Sequence, residues 1–128
     1  MKYWIISAWI ILVSLLPVAA WSVDEAAGVK PETTALYREA RAQVDKLALT
    51  PAAKYAPEAV TQARQSLAEA QSGLEAGNDT ATRDGSERAA LQAKLALALA
   101  EERIAAEKVA AANKELNELN NRLQLILS

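Results

Sequence analysis

The chain has 128 residues, enough for one domain, and a net charge of −2 set by 14 basic and 16 acidic side chains. It holds no Cys and no His, which excludes disulfides, thiol nucleophiles, a Ser-His-Asp arrangement and the usual zinc ligands. The slightly acidic balance, the absence of Phe and the confinement of all three Trp to positions 4, 9 and 21 leave neither the basic stripe nor the stacking platform of a nucleic-acid binder.

Residues 1–22 carry one charge, Lys2. Behind it, residues 3–16 (YWIISAWIILVSLL) form an uncharged apolar run, followed by Pro17 and small residues. This is the three-part order of a secretory signal. Cleavage after Ala20 and cleavage after Ser22 both place small residues at the two required positions, Val18 with Ala20 or Ala20 with Ser22. The second is preferred because it leaves an acidic start at Val23. The expected location is therefore periplasmic or secreted. The alternative keeps residues 3–21 as an inner-membrane anchor, close to the roughly 20 apolar residues a span requires, and only then is membrane contact expected. Without a Cys beyond the cleavage point, a lipoprotein anchor is not expected.

Residues 23–31 (VDEAAGVKP) read as a flexible linker, and residues 32–128 as an Ala-rich helical domain. The 29 alanines favour helix strongly but bury little area each, which suits elongated helices in close contact. A first helix is expected over about 32–49, with Leu36, Ala40, Val44 and Leu47 as its apolar stripe. Pro51 interrupts it, and TPAAKYAP has room for one further turn. A second helix, about 57–76, starts on Pro57 with Glu58 beside it, and its stripe is Val60, Ala63, Leu67, Ala70 and Leu74. Gly77-Asn78 ends it, with Asp79 or Thr80 as the next cap.

The third helix, about 80–126, opens on a polar stretch in which Gly85 costs about 1 kcal/mol relative to Ala. Leu91, Leu95, Ala98, Ala105, Val109, Ala112, Leu116, Leu119, Leu123 and Ile126 then hold one heptad seam, lapsing at Glu102. The expected fold is all-α: an elongated antiparallel helical hairpin with an additional N-terminal helix and coiled-coil-like packing. At 1.5 Å per residue the second helix covers only the first half of the third. Either the first helix runs along the second half, bringing Leu47 near Val109 and Leu36 or Tyr37 near Leu119, or it folds back beside the hairpin. The second layout leaves Leu116, Leu119, Leu123 and Ile126 uncovered.

Tyr55-Ala56-Pro57, ARQSLAEAQSGLEAGND (63–79) and ERAALQAKLALALAEERIAAEKVAAA (87–112) resemble a bacterial envelope family of unknown function. The resemblance runs from Tyr55 to about Leu116 and implies an Ala-rich helical hairpin found in secreted proteins and lipoproteins, often ahead of an OmpA-like peptidoglycan-binding domain. With neither the lipoprotein Cys nor such a domain within these 128 residues, wall binding is not expected to carry over, and the resemblance implies no catalytic residues.

Asp79, Asp84 and Glu87 near the turn lack the alternating ligands of a calcium loop and read as capping and solvated charge. Glu101, Glu102 and Glu107 read as surface charge, with Arg103 and Glu107, Lys114 and Glu118, and Glu118 and Arg122 spaced four apart for ion pairs. No catalytic, cofactor-binding or metal-binding residue is expected, and no small-molecule substrate. The candidate interaction seam is Leu116, Leu119, Leu123 and Ile126, and the expected partner is another protein or a second copy. The function read from the sequence is a non-enzymatic envelope protein acting through protein contacts. The alternative is a periplasmic chaperone or carrier for apolar clients.

Overall fold

A computed structural model describes residues 28–128, which contain no strand. The expected signal, residues 1–22, lies outside the described residues. Four helices follow in order: α1 Pro31–Lys46, α2 Ala52–Tyr55, α3 Pro57–Glu75 and α4 Asp79–Leu127. A 3-10 turn, Leu47–Leu49, joins α1 to α2. Pro31 and Pro57 each stand at a helix start, where the missing N–H costs nothing and the fixed φ suits the first turn.

α1 folds back beside the α3–α4 hairpin, so the three long helices form a bundle around the N-terminal half of α4. Leu47 faces Ala93 and Leu97, and Leu36 lies beside Leu91. Neither reaches Val109 or Leu119, as the extended layout would have required. The reason is the corner at residues 50–57. Thr50 adopts an extended conformation and caps its own turn, its hydroxyl donating to the Leu47 carbonyl at 2.8 Å and accepting from the Ala52 N–H. α1 thus runs parallel to α4, and α3 returns antiparallel to both.

The α1 and α3 stripes fall inward as their spacing predicts, with Ala40, Val44, Leu47, Val60, Ala63 and Ala70 buried and Leu67 half-buried. The α4 stripe does not. Its buried residues are Thr82, Gly85, Ser86, Ala89, Ala93, Ala96 and Ala100. Leu91, Leu95 and Ala98 of the heptad seam lie on the opposite side and face solvent. The hairpin selects the face that permits the closest backbone approach rather than the one with the largest side chains. A Cβ on Gly85 would stand 2.8 Å from the Ala70 backbone nitrogen, and one on Gly73 2.8 Å from the Thr82 nitrogen. Ser66 donates to the Gln92 side chain at 2.7 Å across the same interface, and Thr82 and Ser86 donate to carbonyls one turn back. A polar, small-residue face is buried with its hydrogen bonds satisfied.

The α3–α4 turn uses Gly77 at φ 68°, and Asn78 caps α4 by accepting from the Ala81 N–H at 3.0 Å. Asp79, one of the two caps anticipated, serves a different purpose. It accepts from the Lys30 N–H at 2.9 Å and pairs with Arg83 at 2.8 Å, tying the start of α1 to the hairpin turn. The Thr33 hydroxyl, the Lys30 N–H and the Arg83 charge together hold its carboxyl below the usual aspartate range. Residues 28–30, assigned to a flexible linker from composition, are part of this junction. Val29 is buried, and Gly28, at φ 103°, passes so close to the Gly77 carbonyl that no side chain fits.

Candidate interaction surface

The bundle ends at a clamp around Tyr55. The Tyr55 hydroxyl donates to Glu107 at 2.9 Å, and Arg103 donates to the Tyr55 carbonyl. Arg103 and Glu107 were expected to pair with each other four apart. Both turn instead to the residue that heads the Tyr-Ala-Pro corner, because that corner brings an aromatic hydroxyl and an unpaired carbonyl beside α4. Ala56 is buried beneath the corner, and Pro57 starts α3 from it.

Beyond Glu107, α4 continues as a free arm, residues 108–127, about 30 Å long at 1.5 Å per residue. Every residue of it is exposed. Leu116, Leu119, Leu123 and Ile126, the four residues singled out from the sequence, are 65%, 54%, 53% and 79% exposed. The first three line a shallow groove with Asn117 and Asn120. Helical spacing of three and four aligns all four, with Val109 and Ala112 below them, into one stripe. Among the described residues the ion pairs are Arg41–Asp45, Arg83–Asp79 and Arg88–Glu69. The arm charges Lys108, Lys114, Glu115, Glu118 and Arg122 make none of these, so the two arm pairs anticipated at four-residue spacing are not formed.

The chemistry this surface offers is burial of aliphatic side chains along a helix. Among the described residues no acidic cluster is placed to hold a metal ion, and no helix is long and apolar enough to cross a membrane. Of the acidic residues near the turn, Asp79 is engaged by Thr33, Lys30 and Arg83.

These features define an all-helical bundle with a projecting, unpartnered coiled-coil stripe. The chain belongs to a family described as a domain of unknown function (DUF4398), whose model matches residues 35–112. The match takes in most of α1, so the family unit is wider than the α3–α4 hairpin. It stops at Ala112, so Leu116, Leu119, Leu123 and Ile126 lie beyond it. Comparison with curated proteins and with solved structures finds no match.

Proposed function

We propose that the protein is an exported, non-enzymatic module of the cell envelope that works through protein contacts made by the α4 arm. The observation that carries this reading is the exposure of Leu116, Leu119, Leu123 and Ile126 on a helix that has left its own bundle. Burying such side chains is worth about 1.5–3 kcal/mol each. Four in one row exceed what a solvated helix face has reason to display, since scattered single apolar residues are ordinary but an aligned stripe marks a contact. Export rests on the three-part order of residues 1–22 and on the envelope family that residues 55–116 resemble. A chaperone for apolar clients would use the same stripe. Ordered heptad spacing favours a helical partner over unfolded chains.

The test is the double substitution Leu119→Asp with Leu123→Asp. Because these side chains touch nothing in the bundle, thermal melting of the bundle should stay within about 0.5 kcal/mol of the parent. Association with the partner, read by cross-linking in the envelope and by sedimentation of the purified protein, should be lost. Unchanged association in both measurements overturns the proposal.

A further inference from the structure

We infer that the occupant of the arm is a second copy of this chain, lying antiparallel with Leu116 opposite the partner's Leu119. This deepens the reading above and rests on it. Three features of the arm converge on that register.

The first is length. Two free arms, residues 108–127, overlap fully when their centres coincide between residues 117 and 118. The partner's tip then stops level with Lys108, just past the Tyr55–Glu107 contact, and meets no part of the bundle. The second is packing. With that centre Val109 faces the partner's Ile126, Ala112 the partner's Leu123 and Leu116 the partner's Leu119, with the reverse pairs completing six layers. All six are apolar, and the Glu102 lapse in the seam falls outside them.

The third is charge. Residues one position before Val109, Leu116 and Leu123 flank the seam on one side: Lys108, Glu115 and Arg122. In the proposed register Glu115 meets the partner's Arg122 twice over, and Asn113 meets the partner's Asn120 on the other side. Sliding one heptad toward greater overlap sets Glu115 against the partner's Glu115 and Lys108 against the partner's Arg122. Sliding one heptad the other way sets Arg122 against the partner's Arg122. A parallel pair places Glu115 by the partner's Asn120 and Arg122 by the partner's Leu127, with no attraction. Flanking charges choose orientation and register in coiled coils, and here they choose one arrangement.

Sedimentation equilibrium of the purified full chain tests this. The parent protein should be a dimer whose Kd rises about tenfold for Glu115→Arg and likewise for Arg122→Glu, while the double variant returns to within about twofold of the parent. All three variants should melt like the parent at the bundle, so a loss of dimer is not a loss of fold. A parent that stays monomeric to about 100 µM overturns the inference, and so does a dimer indifferent to the swaps or weakened further by the double change. If the parent is monomeric yet the Leu119/Leu123 double variant sheds a different protein from the envelope, self-pairing fails and the proposed function stands. If that variant sheds nothing either, both fall.

Discussion

Glycine 85 shows how a single residue can carry opposite meanings along a chain and across an interface. Within the helix it weakens α4 by about 1 kcal/mol relative to Ala. Across the hairpin it lets the Ala70 backbone approach to a distance that no Cβ allows. The atoms in the way are backbone, which cannot rotate aside as a side chain tip would. Overpacking of this kind costs about 1–3 kcal/mol and outweighs the propensity gained. Gly85→Ala should therefore lower bundle stability by up to about 2 kcal/mol in thermal or denaturant unfolding. A stabilised variant would show that the two helices separate freely at this point. Nothing local in TRDGSER announces this role, since only the partner helix supplies the constraint.

At the scale of elements, the junction of α1 with the α3–α4 turn depends on Asp79. Its carboxyl titrates below the unfolded value of about 3.9, so the folded protein binds fewer protons than the unfolded chain in that range. Stability contributed by the ionised group is present above about pH 4 and is lost as pH falls through the lowered folded value. Asp79→Asn should melt below the parent at pH 7, and the difference should shrink as the parent is acidified toward pH 3. A gap of the same size at both pH values would show that the carboxylate charge does not hold α1. Helix spans and their breaks were legible from prolines, from Gly77-Asn78 and from apolar spacing. The face of α4 was not. Two stripes compete on that helix, a Leu-rich heptad and an Ala/Ser/Gly/Thr row, and hydrophobicity alone points to the first. Packing of backbones prefers the second.

For the whole molecule, the consequence of that choice is a division of labour along α4. Its first half closes a bundle on small residues and leaves Leu91 and Leu95 exposed on its outer face, and its last 20 residues carry that aliphatic row on beyond the bundle, where every face of the helix is open. The four seam residues were legible as a candidate because their spacing is unbroken to the end of the helix. Whether they were internal or available was not legible, because the path of α1 decided it. The proposed export belongs to this scale too. Mass measurement of the protein recovered from an envelope fraction should give a start near Val23; an intact Met1 would show instead that residues 3–21 are retained. By itself the sequence determined the helical class, the breaks at Pro51, Pro57 and Gly77, and the exclusion of Cys and His chemistry, since these follow from covalent geometry and side-chain identity. Only the tertiary structure decided which side of α4 is core and that α1 turns back, because the first depends on how closely the α3 and α4 backbones approach across Gly73 and Gly85 and the second on the corner at residues 50–57.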